Sequence, residues 1–227
     1  TMIYKLKRLL LAIGFTSLSA VAPWLSAAPP ATIKILTEEN PPFNFTDPKT
    51  GKLVGIGTEL IEAILKDIGV DASYSVTSWE KAYSSALLRP NSLIYSIART
   101  EEREAQFQWV CTIDQVKSYI YSLEGSDNVT IKTLEDAKQY QVGLVKDSYL
   151  HQYLLRQGFV EGKNLIPLVH PEQVFKTLIS GRLKLAAHND HIFGYHAAQY
   201  GFSRSLFDKQ IAIDHKATPL CLAFNRD

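Results

Sequence analysis

Several features that would settle a chemistry at once are scarce or missing here. Of 227 residues only Cys111 and Cys221 are cysteines, and they form no CxxC motif, so neither a dithiol redox pair nor a thiolate metal site is written in the chain. Net charge is +1, with 24 Lys and Arg against 23 Asp and Glu. A face that binds nucleic acid must neutralise phosphates, and this balance supplies no basic excess for it. There is no G-x-S-x-G and no P-loop, and the "GIG" at residues 55–57 lacks the rest of a dinucleotide fingerprint. No repeat of fixed period and no low-complexity linker divides the chain. What remains, at 46% hydrophobic side chains, is a sequence able to bury a core as one large domain or two small ones.

The N-terminus carries the clearest local signal. Met2, Lys5, Lys7 and Arg8 form a short basic region, Leu9 to Leu25 is apolar, and "LSAAPPAT" follows with small side chains. This pattern predicts a secretory signal peptide over residues 1–28, cleaved after Ala27 or Ala28, and an exported mature protein. The competing reading is a transmembrane anchor, but Gly14, Ser17, Ser19 and Pro23 dilute the run and no basic stop-transfer cluster follows. In an oxidising compartment Cys111 and Cys221 either close one long loop or remain two buried thiols.

Beyond the leader the hydrophobic period alternates between strand and helix. "TIKILT" reads as a strand; "GTELIEAILKDIG" as a helix capped by Thr58 and stopped by Gly69, with Leu60, Ile61, Ile64, Leu65 and Ile68 on one face. "ASYSVT", a helix from Trp79 to Leu88 and "SLIYSIA" continue the rhythm of an α/β layer with a mainly parallel sheet. A second series runs through "TLEDAKQY", "QVGLV", "DSYLHQYLLRQG", "HPEQVFKTLISG", "LKLAAH" and "NDHIFGYHAAQYG". Two α/β lobes are expected, residues 29–116 and 117–214, with 215–227 returning to the first lobe and crossings near Lys117 and His215. Such lobes leave a cleft at the carboxyl ends of their strands.

In this order, "ENPPFNF", "GKLVGIGTELIEAIL", "SIARTEEREAQFQWV", "QVGLVKDSYL" and "SGRLKLAAHND" resemble the type-II periplasmic solute-binding proteins of family 3, which serve polar amino-acid ABC transporters. The resemblance spans nearly the whole mature chain. It implies a two-lobed periplasmic-binding-protein-like fold with a ligand cleft between lobes that closes by hinge motion. It implies a monomeric, non-enzymatic protein of the periplasm without cofactor or metal, whose partners are an amino acid or organic acid and an ABC permease in the inner membrane.

By the same resemblance Arg103, in "TEER", grips the ligand carboxylate, a task suited to the planar guanidinium fork. Thr100 caps the helix that carries it. Ser96 and the backbone at Ala98 meet the ligand's amino group. Ser148, Tyr149 and the N–H groups of a helix N-terminus bind a carboxylate from the second lobe. The family's ammonium-pairing acid falls at Asn189, with Asp190 beside it. Asn40 stands at the position of the aromatic that stacks on ligands, with Phe43 and Trp79 near it to wall the cleft. Family members continue past the strand equivalent to "LCLAFNRD" with one or two helices, which are expected to be missing here.

Other readings rest on fewer residues. An orphan or sensory protein of the same fold would bind its ligand alike. A cyclic-acid dehydratase would need a perturbed cleft carboxylate, for which Glu39 and Asp190 are the candidates. His188, His191 and His196 with Asp190 outline a zinc cluster without a zincin signature around it.

Overall fold

The computed structural model describes residues 32–125, 129–213 and 217–226. The leader expected over residues 1–28 and the crossing expected at His215 lie outside the described residues. In chain order the first half contains β1 (Ile33–Thr37), β2 (Phe45–Thr46), β3 (Leu53–Val54), α1 (Ile56–Ile68), β4 (Ala72–Val76), α2 (Trp79–Leu88), β5 (Ser92–Ala98), α3 (Glu101–Glu104) and β6 (Gln108–Val116). The second half continues with β7 (Ser118–Leu123), α4 (Leu134–Ala137), β8 (Val142–Val145), α5 (Tyr149–Arg156), β9 (Leu165–Leu168), α6 (Pro171–Ile179), β10 (Leu185–Asn189), α7 (Asp190–Gln199), β11 (Phe207–Ala212) and β12 (Thr218–Phe224).

These strands build two five-stranded sheets, β4-β1-β5-β12-β6 and β11-β7-β10-β8-β9, with β2 and β3 as a separate pair. The chain passes from the first sheet to the second across Lys117 and comes back through β12, which pairs with both β5 and β6. The sheets are mixed and not mainly parallel. β4, β1 and β5 run parallel, as do β9, β8 and β10, while β12 and β7 are antiparallel to their neighbours. Strands that join one sheet to the next need no crossover helix, and only such a helix would have imposed the parallel direction.

Each sheet buries an apolar layer on both faces. Leu36, Ile94 and Ala223 pack under Trp79, Ala82 and Ala86 of α2, whereas Ile35, Leu93, Tyr95 and Leu222 pack under Ile61 of α1. In the second sheet Val142, Leu144 and Leu185 face Leu150 and Leu154 of α5, and Tyr121 and Ala186 face α6 and α7. A fifth cluster packs Ala98, Val116 and Leu220 of the first sheet against Phe43 and against Ile192 of α7, beside the crossing at Lys117. Cys111 and Cys221 are joined in a disulfide that ties β6 to β12.

Two local expectations are corrected. Thr58 does not cap α1; it lies inside the helix and hydrogen-bonds Tyr95 Oη at 2.8 Å. The N-cap is Gly55, because the carbonyls of Pro42 and Phe43 accept from the Ile56 and Gly57 amides at 3.1 and 2.8 Å. Backbone from another segment thus satisfies the opening amides that a side-chain cap would otherwise serve. The face of α1 is also rotated from expectation. Gly57, Thr58 and Ile61 are buried, while Leu60, Ile64 and Ile68 are exposed. A Cβ at Gly57 would stand 2.6 Å from Ser96 Oγ, so close approach at this glycine pins the Gly57 side against β5 and turns the Leu60 row outward.

Candidate functional site

The carboxyl ends of parallel strands from both sheets converge on one cavity. Its walls include Glu38 just after β1, Ser96 and Ala98 at the end of β5, Val145 at the end of β8, and Ala187 to Asn189 at the end of β10. Asn40, Trp79, Arg103, Ser148, Tyr149, Leu150, Pro171, Ile192 and Leu220 complete it. The space between these walls, open mouth included, is about 570 Å³.

Arg103 is the largest polar group at the cavity and is 1% exposed. It sits in α3, whose N-cap position is Thr100, although the Thr100 side chain makes no capping hydrogen bond. The guanidinium lies 5.1 Å from the Trp79 ring centroid and 4.9 Å from that of Tyr83. Its Nη1 donates to the Ala98 carbonyl at 3.2 Å and its Nη2 to the Asp147 carbonyl at 3.3 Å. Nε is buried without a partner. Burial pushes the pKa of Arg103 down, and Tyr83, Glu102 and Tyr149 offset this only in part. An ion pair with Glu104 is not its fate, since Glu104 is taken by Arg99.

Backbone strain concentrates at the same place. Three non-glycine residues among those described have positive φ, and two of them, Ser96 and Asp147, both at 55°, flank the cavity from opposite sheets. The left-handed conformation costs such residues about 1–3 kcal/mol each and persists where the surroundings enforce it. At Asp147 it aims the carbonyl across the cleft, where Trp79 Nε1 donates to it at 2.8 Å beside Arg103. Ser148 then caps α5 by accepting from the His151 amide at 3.2 Å, and Ser148, Tyr149 and Leu150 bring the start of α5 to the cavity wall. Tyr149 Oη is hydrogen-bonded to Ser118 Oγ.

At the end of β10, Asn189 lines the cavity and caps α7, its Oδ1 accepting from the His191 and Ile192 amides at 2.8 and 3.4 Å. Asp190 does not join the cavity wall. Its carboxylate takes the Tyr121 hydroxyl at 2.6 Å and Lys209 Nζ at 3.0 Å, with Arg204 Nη1 at 3.6 Å. Burial pushes its pKa up, but these partners more than compensate and hold it below the usual carboxylate value. Phe43 is likewise elsewhere: it is fully buried in the cluster with Ile192, its ring 5.9 Å from that of His191. Glu39 faces an outer chamber and holds the amide and hydroxyl of Thr46. His188 and His196 stand 6.5 Å apart, ring to ring, while His191 points towards Phe43 and Asp114, so the three do not converge.

The structure therefore brings together Arg103, Ser96, Ala98, Ser148, Tyr149, Asn189, Asn40 and Trp79, and leaves out Asp190 and Phe43. It adds residues the sequence analysis passed over, Glu38 and His188 above all. Both sit at or just past the end of a recognisable strand, the position at which open α/β sheets bind ligands, and that rule alone would have nominated them. Burial drives the His188 pKa down to about 3, helped by His196, against backbone hydrogen bonds at Pro171 and Asn189. It is a neutral imidazole.

The comparisons with known proteins agree on the fold. The L-cystine-binding protein TcyJ of Escherichia coli (strain K12) is 30% identical over 107 residues, which is 46% of this chain and 39% of that protein. The match thus spans about two fifths of the relative's length. An ancestral arginine-binding protein bound to arginine superposes with a TM-score of 0.73 at 22% identity, covering 86% of this chain and 84% of the other. A histidine kinase sensor domain with similarity to periplasmic binding proteins gives 0.75 at 22% identity, covering 86% and 82%. Two lobes with a cleft between them are the architecture these structures share with it. Residues 33–220 match the family of bacterial extracellular solute-binding proteins, family 3, and the chain belongs to that family.

Proposed function

We propose that the protein captures a small amino acid, or a close analogue, by its carboxylate between the two lobes and presents it to an ABC-type permease of the inner membrane. The observation that carries this reading is the buried Arg103 guanidinium at the cavity wall, held by two carbonyls and two aromatic rings, with Nε buried and unpartnered. A buried donor without an acceptor costs about 1–3 kcal/mol, and a carboxylate relieves that cost with charge-assisted bonds. Facing it, the first turn of α5 offers backbone N–H groups to the same anion. In this reading lobe 1 comprises residues 29–116 and 215–227, lobe 2 comprises 117–214, and the leader 1–28 sends the protein to the periplasm. Its work is binding without catalysis, in keeping with relatives that are binding proteins.

A thermal-shift screen against amino acids and their deaminated counterparts tests it. A ligand at about 100 Kd adds about 2.7 kcal/mol of stability. The hit is expected to vanish in Arg103→Ala and to weaken strongly in Arg103→Lys, which keeps the charge but loses the fork. No hit from the folded protein refutes amino-acid capture. The similarity to a histidine kinase sensor domain favours a second reading, in which the liganded form is presented to a signalling partner. Import assays separate the two, because only transport requires uptake of the ligand by cells.

A further inference from the structure

We infer that the counter-charge for the ligand's cationic group is Glu38 of the first lobe, and not a residue at the end of β10, so that the cavity selects a zwitterion. This rests on the carboxylate-capture reading above and names the ligand class for it.

The charges around the cavity lead there by elimination and by position. Asn189 is uncharged, and its oxygen is already committed to two amides of α7. Asp190 is held off by Tyr121, Lys209 and Arg204. Glu39 is engaged with Thr46 on the outer side. His188 is neutral. Among the lining residues this leaves one guanidinium, Arg103, and one carboxyl, Glu38, the latter half-buried. Among the described residues no hydrogen bond or ion pair engages the Glu38 carboxyl, and none joins it to Arg103, although both line the same cavity. Burial pushes the Glu38 pKa up to about 8; Arg103 pulls it down and Glu39 adds to the rise. At neutral pH the carboxyl is thus largely protonated until a cation arrives, and an ammonium placed against it displaces the proton. A single positive and a single negative group match a molecule with one carboxylate and one ammonium. A second uncompensated charge on the ligand would be desolvated without a partner.

The test measures the purified protein by calorimetry against pairs of probes, each common amino acid beside its deaminated counterpart. In the wild type the amino acid of the best-binding pair is expected to bind about 10- to 100-fold more tightly than the analogue. Glu38→Gln, an isostere of the protonated carboxyl, is expected to remove that preference while leaving binding of the analogue within about threefold, which circular dichroism and thermal unfolding accompany as a check of folding. At pH 7, titrations in two buffers of different ionisation enthalpy should show proton release on binding to wild type and none in Glu38→Gln. An unchanged preference in Glu38→Gln, proton release that survives the substitution, or a wild type that prefers the deaminated probe overturns the inference while leaving carboxylate capture intact. If neither member of any pair binds, carboxylate capture itself fails and takes the inference with it.

Discussion

Lowering the pH from 7 to 5 should destabilise this protein through His188, by an amount the structure fixes. The imidazole is buried and its folded pKa is held at about 3 by desolvation, with His196 beside it. The unfolded chain returns it to about 6.5. Below that value the unfolded state takes up a proton that the folded state refuses, so stability falls as pH falls, at about 1.4 kcal/mol per pH unit once well below 6.5. From pH 7 to pH 5 the loss integrates to about 2 kcal/mol, and any folded pKa below about 4 gives nearly the same figure. His196, whose pKa burial also lowers, adds a loss of the same sign, while Glu38, raised by burial, works in the opposite direction over this window. The assay must therefore isolate His188. Urea unfolding of wild type and His188→Gln at both pH values does so, because the difference between them should change by about 2 kcal/mol, roughly 1 M in midpoint. A difference that stays flat within about 0.5 kcal/mol between pH 7 and 5 would refute a neutral, proton-excluding His188.

Two further perturbations probe the frame around the site. Reducing the Cys111–Cys221 disulfide, which spans 110 residues of sequence, should lower stability by about 2–5 kcal/mol, read as a drop in urea midpoint that Cys111→Ser with Cys221→Ser reproduces. Gly55→Ala should cost more than about 2 kcal/mol and lower the melting temperature by several degrees. The residue has φ 118°, and a Cβ there would meet the Phe43 carbonyl oxygen at 2.6 Å, against the backbone segment that caps α1.

Much of this protein is legible in the order of its residues. Period marks β1 and the helix Trp79–Leu88, and a short apolar run marks β5, whose seven residues are all buried, since such patterns are local properties of consecutive side chains. The same holds for Gly69, left-handed at the end of α1 as a glycine stop should be. The order of motifs, from the prolines before Phe43 to the "GRLKL" that leads into β10, is enough for the family. Arg103, Ser96 and Ser148 were nominated from sequence and do meet at one cavity.

What the order of residues left open depends on which segments meet. Asn189 and Asp190 are neighbours in sequence, and one faces the cavity while the other turns to Lys209 because β11 passes beside it. The cap of α1 comes from Pro42 and Phe43, a backbone contact that no side-chain pattern announces. Phe43 reads like a ligand-facing ring and is core. Glu38 follows a recognisable strand, but its burial beside the cavity that Arg103 also lines, 65 positions further along the chain, is not a local property. Secondary structure and family membership follow from short-range pattern. The charge balance of the cavity is set only when distant strand ends are brought together and water is removed from between them.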